Sequence, residues 1–403
     1  MDSVIVQLAN QSVWEKFLAY RLMKKRLTWR GFLEADSFVA DLKFMPVAKT
    51  FLDGVEFPIP QKRVLNKMGT GKKRVVYTYG KEEMDCFKLI NCLLYKYDCV
   101  FAPNCYAFRV DLTALDAVRF VHENVSRGAL WAYKLDIHDY FNSISPQILL
   151  PLLADLLCDD CLLYGLFEQI LNDKRIIVDG KVAEGSRGVL PGVPTASFLA
   201  NVYLNELDHY FYERGVLYAR YSDDIIVFAE DFETLQKHKV KIIEFLSSYK
   251  LTVNPAKEKI FPPNEPCEFL GFSYMSDKVD VSSAGIKKIK GKIRRKMRSI
   301  LRWKRRNCIA ERESMSRMIK CFNHKFFGEN NRAQTWSRWF FPVVNTIEGM
   351  REIDHYLQQC IRVISTGHHS KSNYRVTYSD LKEMGYRSLV HEYYKRKKQR
   401  VNL

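Results

Sequence analysis

The chain is organised around the stretch Tyr218-Ala219-Arg220-Tyr221-Ser222-Asp223-Asp224-Ile225-Ile226-Val227-Phe228, in which two adjacent carboxylates separate two runs of aromatic and β-branched residues. Such runs on either side of a short polar turn predict a β-hairpin with both acids at its tip. Adjacent carboxylates repel each other unless a cation lies between them, so the pair favours half of a divalent-metal site. An ordinary exposed turn is the alternative for an isolated Asp-Asp pair.

A third acid, Asp136, lies near the end of the apolar run Leu130-Trp131-Ala132-Tyr133-Lys134-Leu135-Asp136-Ile137. Ser145 and Pro146 then mark the start of a helix. A carboxylate at the exit of one strand, close to two at a neighbouring hairpin tip, is a donor set for two Mg²⁺ ions. Two such ions clamp the attacking and leaving oxygens of an in-line phosphoryl displacement, which predicts nucleotidyl transfer.

Four motifs occur in order along the chain: Lys134-Leu135-Asp136-Ile137-His138-Asp139-Tyr140-Phe141, Gly188-Val189-Leu190-Pro191-Gly192-Val193-Pro194-Thr195-Ala196-Ser197-Phe198-Leu199-Ala200-Asn201, Tyr221-Ser222-Asp223-Asp224 and Glu268-Phe269-Leu270-Gly271-Phe272. Together they resemble the palm motifs of reverse transcriptases. From about Arg74 onward the chain is similar to the bacterial branch that includes group II intron, retron and defence-associated enzymes. Tyr-x-Asp-Asp alone is a weak signal, whereas four motifs in order are specific.

The resemblance implies an α+β right-hand polymerase fold in three parts. Residues 1–130 would form the fingers with an N-terminal helical region. Residues 131–280 would form a palm of antiparallel sheet plus helices, with about 150–190 belonging to the fingers. Residues 281–403 would form a basic α-helical thumb.

The resemblance also assigns catalytic and metal-binding roles. Asp136, Asp223 and Asp224 would hold two Mg²⁺ ions, and the backbone carbonyl of Ile137 would complete the metal shell. Lys257 matches the family's lysine that protonates departing pyrophosphate as a general acid, and Lys259 is the fallback for that role. A solvated lysine is the alternative.

Residues expected at the incoming nucleotide lie in three segments. A basic loop that leads into a β-branched strand resembles the fingertip hairpin, where Arg74, assisted by Lys72 or Lys73, would hold the triphosphate. A solvated charge run is the alternative there. Phe141 falls where the family places a ring against the sugar, which excludes a 2′-hydroxyl, and core packing is its alternative. Gly192 and Ser197 belong to the segment that approaches the base pair.

One motif departs from the family pattern. The stretch Leu190-Pro191-Gly192-Val193-Pro194 lacks the Gln that follows Pro and precedes Gly in retroviral and intron enzymes, where that Gln lies near the nucleotide. Its absence keeps template-independent, terminal-transferase-like DNA synthesis open. A non-enzymatic RNA-binding protein with a relic palm is a third interpretation, which the presence of all three carboxylates disfavours. Two roles stay open for Arg109: a contact with the template or the nucleotide, and a salt bridge within the fingers.

The charge of the chain predicts a polyanionic partner. The formal net charge is +17 and the pI is near 9.3, and Lys and Arg gain affinity for phosphates by displacing counterions. Between Lys287 and Arg306 there are twelve Lys or Arg and no acids, while apolar residues recur every three or four positions. The expected nucleic-acid contacts are Lys287, Lys288, Lys290, Arg294, Arg295, Arg298 and Arg302 on this helix, and Gly271 near the primer end. The run Lys395-Arg396-Lys397-Lys398-Gln399-Arg400 is a further phosphate-binding candidate.

The remaining features concern the cellular compartment and the expected partners. The N-terminus has no signal-peptide pattern, no apolar stretch is long enough to span a bilayer, and the ten cysteines lack zinc-site spacing, so we expect a cytoplasmic protein with reduced thiols and no membrane. No zinc-finger or nuclease signature follows the predicted thumb. We therefore expect a ribonucleoprotein with a dedicated noncoding RNA as template and scaffold, in a retron-like or antiviral defence system. Its other expected partners are a primer, the DNA product and dNTPs, and the oligomeric state is left open.

Overall fold

The computed structural model describes residues 2–24, 26–54, 57–66, 73–125, 128–185, 188–328 and 335–401. The strands are β1 (Gln61–Asn66), β2 (Lys73–Thr78), β3 (Trp131–Asp136), β4 (Arg175–Val178), β5 (Lys181–Glu184), β6 (Tyr218–Tyr221), β7 (Asp224–Ala229), β8 (Lys259–Phe261), β9 (Cys267–Phe269), β10 (Phe272–Met275) and β11 (Lys278–Val281). The helices are α1 (Gln11–Met23), α2 (Trp29–Ala40), α3 (Met45–Asp53), α4 (Lys81–Leu93), α5 (Ala114–Val125), α6 (Tyr140–Ser143), α7 (Pro146–Leu156), α8 (Cys161–Asn172), α9 (Ala196–Glu213), α10 (Phe232–Ser248), α11 (Ser283–Asn307), α12 (Glu311–Phe327), α13 (Trp336–Phe340), α14 (Glu348–Thr366), α15 (Tyr378–Glu383) and α16 (Leu389–Val401). The predicted α+β class is confirmed.

The chain folds as two compact units. The first comprises Met1–Ala117 and Leu130–Ile260, and the second comprises Val118–Ala129 and Phe261–Leu403. Two four-stranded sheets, ordered β2-β1-β4-β5 and β6-β7-β3-β8, lie within residues 61–261, and a three-stranded sheet, β11-β10-β9, lies within residues 267–281. The division into fingers, palm and thumb stays a prediction.

The sheet β6-β7-β3-β8 is covered on both faces. Its strand β7 is buried at every position from Ile225 to Ala229, as expected for a strand without a solvated face. Helix α9 packs against β6, and α10 packs against β3 and β7. Because its neighbours hold it on both sides, this sheet is a rigid platform for side chains at its ends.

The second unit is mainly helical, and α11 is its most basic element. Ser282 begins the helix by accepting a hydrogen bond from the Gly285 amide, at 3.0 Å. Helix α11 packs against α12 and α14, and its buried apolar residues are Ile289, Ile293, Met297 and Ile300. The predicted amphipathic helix is therefore confirmed. Within the described ranges, no helix combines the length and the apolar character needed to cross a bilayer.

Candidate active site

Backbone pairing brings three carboxylates to one end of the covered sheet. Strands β6 and β7 form the predicted hairpin, with Tyr221 opposite Asp224 and with Ser222 and Asp223 as its two-residue turn. Strand β3 pairs antiparallel with β7 and sets Asp136 opposite Asp224. The amide of Ile137 donates a hydrogen bond to the Asp223 carbonyl at 3.0 Å, which ties the end of β3 to the turn.

Two lysines pair with two of the three acids, Asp136 and Asp224. The Lys257 ammonium donates to Oδ2 of Asp136, and the lysine side chain is 55% exposed. Lys134 Nζ lies 3.3 Å from Oδ1 of Asp224. That oxygen is buried, and in the described part of the chain no donor reaches it with hydrogen-bond geometry. The site thus holds its own cations, one against Asp136 and one against Asp224.

The electrostatics favour an added cation. Burial raises the pKa of Asp223, and the nearby charge of Asp136 raises it further. Burial also raises the pKa of Asp224 to about 6, with Asp136 and Asp223 adding to the effect and Lys134 opposing it. Since the carboxylates resist ionising together, a divalent cation binding among them would relieve both burial and repulsion.

The donor set fits a hard divalent metal, although it is not preassembled. Across the described ranges, no three His, Cys, Asp or Glu side chains are grouped closely enough to hold a metal ion. The oxygens available are carboxylates and the Ile137 carbonyl, which are the ligands that Mg²⁺ and Mn²⁺ prefer, and the buried Oδ1 of Asp224 accepts no hydrogen bond. The two lysines would have to yield to a bound metal.

Phe141, the predicted sugar gate, stands in α6 beside a ring that the sequence did not single out. It is half-buried, and its ring centroid lies 6.4 Å from that of Phe108 in an edge contact. Phe108 is 44% exposed with φ of +62°, and its centroid lies 6.5 Å from that of Tyr221. The three rings form a wall next to the acidic turn. The gate itself stays a prediction.

Gly188 fixes the segment that carries Phe141. A Cβ at Gly188 would lie 2.4 Å from the Phe141 carbonyl oxygen and 2.7 Å from that of Ile144. Such distances to backbone atoms leave no room for any side chain. The glycine therefore allows the loop before α9 to approach α6 closely.

Gly192 likewise allows a close approach of two backbone segments, here the loop before α9 and strand β2. The Tyr77 amide donates to the Pro191 carbonyl at 2.7 Å, and Gly192, with φ of +108°, would place a Cβ 2.6 Å from the Tyr77 carbonyl oxygen. Ser197, half-buried in the first turn of α9, donates to the Pro194 carbonyl at 3.0 Å. The predicted nucleotide contacts of Gly192 and Ser197 stay predictions beside these structural roles.

Strands β1 and β2 pair antiparallel in the segment where a fingertip hairpin was predicted, and its role as a fingertip stays a prediction. Arg74 lies on β2 opposite Leu65 and is exposed. Lys72 lies outside the described residues. Arg109 donates to the carboxylate and the carbonyl of Asp98, at 2.8 and 3.0 Å. Of the two roles expected for Arg109, the structure therefore shows the salt bridge.

A buried ion pair behind the acidic turn was missed by sequence reasoning. Arg220, fully buried on β6, donates to Oδ1 of Asp208 at 2.8 Å and to the Ser222 carbonyl at 3.3 Å. Asn201 accepts from the same guanidinium, and Tyr218 donates to Asp208 at 2.9 Å. The sequence did contain a signal for this pair, namely an arginine within an otherwise apolar strand. A buried charge requires a partner of opposite charge, so such an arginine predicts a buried acid nearby.

The predicted nucleic-acid residues of the second unit lie on α11. Most are exposed, namely Lys287, Lys288, Arg294, Arg295, Arg298 and Arg302, whereas Lys290 is half-buried and pairs with Glu352 at 2.6 Å. Burial lowers the pKa of Lys292, and Lys325, Lys288 and Arg295 lower it further, which reports a strong positive potential. Gly271 has φ of +86° in the turn between β9 and β10.

Residues 65–274, a little more than half of the chain, match the family described as reverse transcriptase (RNA-dependent DNA polymerase). The chain is 24% identical over 171 residues to the retron Ec86 reverse transcriptase of Escherichia coli, an alignment that covers 41% of this chain and 49% of that protein. The chain therefore spans about half the length of this curated relative.

Solved structures of two telomerases are also similar. Telomerase from Candida albicans, in complex with a TWJ fragment of telomeric RNA, gives a TM-score of 0.47 at 11% identity, covering 81% of this chain and 63% of that one. Telomerase from Candida tropicalis, in complex with the same kind of fragment, gives a TM-score of 0.45 at 13% identity, covering 84% of this chain and 66% of that one.

Proposed function

The chain belongs to the reverse transcriptase (RNA-dependent DNA polymerase) family, and on that premise we propose that it synthesises DNA on an RNA template. The observation that carries the proposal is the pairing of β3 with β7, which sets Asp136 opposite Asp224 with Asp223 adjacent in the turn. The buried Oδ1 of Asp224 adds support, because the group that faces it is the Lys134 ammonium 3.3 Å away, a place that a metal cation could take instead.

The acids would hold the metals and the neighbouring residues would handle the substrate. Asp136, Asp223, Asp224 and the Ile137 carbonyl would bind two divalent cations, taken to be Mg²⁺, which when bound supply charge neutralisation for in-line phosphoryl transfer. Lys257 would leave its ion pair with Asp136 and donate a proton to the departing pyrophosphate.

Substrate selection would rest on groups around the acids. Arg74, exposed on β2, would hold the triphosphate of the dNTP with its guanidinium fork, assisted by Lys72. Phe141 would exclude the 2′-hydroxyl of ribonucleotides, and its fixed position beside Gly188 supports that role. Gly192 and Ser197 would line the side of the nascent base pair.

The RNA partner is proposed from the basic helix. Six exposed cations of α11, together with the lowered pKa of Lys292, support a phosphate-binding face in the second unit. With Gly271 supporting a primer end, this face would hold a template–primer duplex or a structured RNA. We extend the proposal to a dedicated noncoding RNA in a cytoplasmic, retron-like or antiviral defence ribonucleoprotein, guided by the retron relative.

A second candidate function is template-independent DNA synthesis by the same acids. It is favoured by the sequence Pro191-Gly192-Val193, which has no Gln beside the position expected for the base pair. The two functions differ in the sequence of the product and in the need for RNA.

The experiment is to purify the protein from cells, sequence the RNA that accompanies it, and sequence the DNA made after adding Mg²⁺ and dNTPs. The control is the Asp223→Ala/Asp224→Ala variant. DNA complementary to one bound RNA supports the dedicated-template proposal, whereas homopolymeric or random DNA supports the second candidate. No product from the wild type would contradict both and favour an RNA-binding role without catalysis.

A further inference from the structure

Phe108 has a backbone conformation that its side chain disfavours. Its φ of +62° lies in the left-handed region, which glycine adopts readily and a bulky aromatic residue does not. Its ring is 44% exposed, so burial of the side chain does not account for this strain. Strained residues persist where the surrounding structure over-determines them, and they concentrate at functional sites.

The residues on both sides of Phe108 are anchored. The Ala107 carbonyl accepts a hydrogen bond from the side chain of the buried Asn201, at 2.7 Å. Arg109 is held by its two hydrogen bonds with Asp98. The turn is therefore fixed before and after Phe108, and these bonds hold the strained residue and the direction of its ring.

The Phe108 ring borders the ring of Phe141 where that ring is open to movement. The close approach of Gly188 fixes the Phe141 backbone, but it leaves the side chain free to rotate about χ1. Tyr140 contacts the Phe141 ring with centroids 5.7 Å apart, and Tyr140 is itself buried. Of these two ring neighbours, Phe108 is the exposed one, and its further contact with Tyr221 braces it from the other side. Phe108 thus limits rotation of Phe141 toward solvent.

We propose that Phe108 is a positioning residue for Phe141: it holds that ring against the sugar of the incoming nucleotide and so sets the preference for deoxynucleotides. This role rests on the proposed function, in which Phe141 excludes the 2′-hydroxyl. Without Phe108 the Phe141 ring would turn aside and admit a ribose. Phe108 acts through Phe141 and does not itself contact the 2′ position.

The test compares kcat/KM for a dNTP with kcat/KM for the matching ribonucleotide, in single-nucleotide incorporation by the full chain. Phe108→Gly removes the ring and suits the positive φ, so it adds no backbone strain, whereas Phe108→Tyr keeps the ring. The matched control is Leu42→Gly, because Leu42 is also an exposed apolar residue with positive φ, 48% exposed at +53°.

We expect the dNTP preference to fall about fivefold in Phe108→Gly, mainly through a lower KM for the ribonucleotide. The preference should stay within about twofold of the wild type in Phe108→Tyr and in Leu42→Gly. Melting temperatures check that each variant is folded. A loss of activity that is equal for both substrates would reduce Phe108 to a general structural role and overturn the proposal. If Phe141→Ala lowers the preference and Phe108→Gly does not, the gate in the proposed function stands and the positioning role fails.

A double variant separates positioning from direct contact with the substrate. If Phe108 acts through Phe141, then Phe108→Gly/Phe141→Ala has the same preference as Phe141→Ala alone, because the second change removes the group that the first releases. A further fall of about fivefold in the double variant would show independent effects and overturn the positioning role.

A measurement without turnover makes the test independent of DNA synthesis. Trifluoromethylphenylalanine replaces Phe141 in the otherwise wild-type chain, in Phe108→Gly and in Leu42→Gly, and the transverse relaxation rate of its ¹⁹F resonance is measured. We expect slower relaxation in Phe108→Gly, from a ring that rotates more freely, and the wild-type rate in Leu42→Gly. An unchanged rate in Phe108→Gly overturns the proposal. A chain that shows slower relaxation but makes no DNA would contradict the proposed function and leave the positioning of the Phe141 ring standing.

Discussion

The Lys134 ammonium nitrogen, Nζ, lies 3.3 Å from Oδ1 of Asp224. Lys134 belongs to β3, the strand that also carries Asp136. Lys134 and Asp136 are two positions apart in β3 and so project from the same face of the sheet, and Asp224 is paired opposite Asp136. The lysine is therefore built into the site as a counter-ion. A divalent metal that binds Asp224 competes with it.

Replacing Lys134 should tighten metal binding. In Lys134→Met the carboxylate of Asp224 loses its nearby cation, so the affinity for Mn²⁺ should rise severalfold, on the order of 1 kcal/mol. Binding of Mn²⁺ measured by electron paramagnetic resonance reports this without any turnover. The control is Lys237→Met, which removes an exposed lysine paired with Glu233 on α10. Equal or weaker Mn²⁺ binding in Lys134→Met would contradict the counter-ion role.

The turn of Asp223 and Asp224 could be predicted from the sequence because the hairpin is local, whereas the match to the ordered reverse transcriptase motifs was what tied Asp136 to the same site. Alternating apolar strands and a two-residue polar turn determine the hairpin of Asp223 and Asp224, and pairing with one adjacent strand brings Asp136 to it. The ion pair of Lys134 with Asp224 was not predicted, since it depends on which strand pairs with β7 and in which register.

The residues that sequence reasoning missed depend on packing between distant segments. Asp208 meets Arg220 only because α9 lies against β6. Phe108, itself in the left-handed conformation, contacts Phe141, which is more than thirty positions away in the chain. Similarly, the contact between Tyr77 and Pro191 joins segments that are far apart in the chain. Periodicity and local motifs carry no information about these pairings.

Asp224→Asn should stabilise the metal-free protein at neutral pH. Burial raises the pKa of Asp224 to about 6 from 3.8, so the folded state binds that proton more tightly than the unfolded state does. Stability from this group is greatest at low pH and is lost as pH rises from about 4 through about 6. At pH 7.5 in EDTA the amide variant should be more stable by about 1–3 kcal/mol, and the gain should vanish near pH 4. Thermal melts at both pH values check this, and a lower melting temperature for the variant at pH 7.5 would count against it.

Phe141→Ala should admit ribonucleotides. Removing the ring opens space beside the sugar, so the preference for dNTPs over ribonucleotides, as a ratio of kcat/KM values, should fall by at least about tenfold. Single-nucleotide incorporation with each substrate measures the ratio, and the rate with dNTPs serves as the internal check on folding. An unchanged ratio would assign Phe141 to core packing instead.

Arg220 should be essential to the fold through its pair with Asp208. Arg220→Met leaves Asp208 buried without a cation and should cost about 3–5 kcal/mol of unfolding free energy. Arg220→Met/Asp208→Leu removes both charges and should recover most of that loss. Urea denaturation of the two variants measures the coupling. If the double variant is no more stable than Arg220→Met, the pair does not account for the loss.

The most direct test is primer extension on RNA templates of defined and different sequence, with Mg²⁺, dNTPs and the purified wild-type chain. The Asp224→Asn variant is the matched control because it keeps size and hydrogen bonding while removing one charge. RNA-directed synthesis at these acids predicts DNA whose sequence is the complement of whichever RNA is supplied, and no DNA from the variant. DNA of the same sequence on every template, or equal synthesis by Asp224→Asn, would contradict RNA-directed synthesis at these three carboxylates.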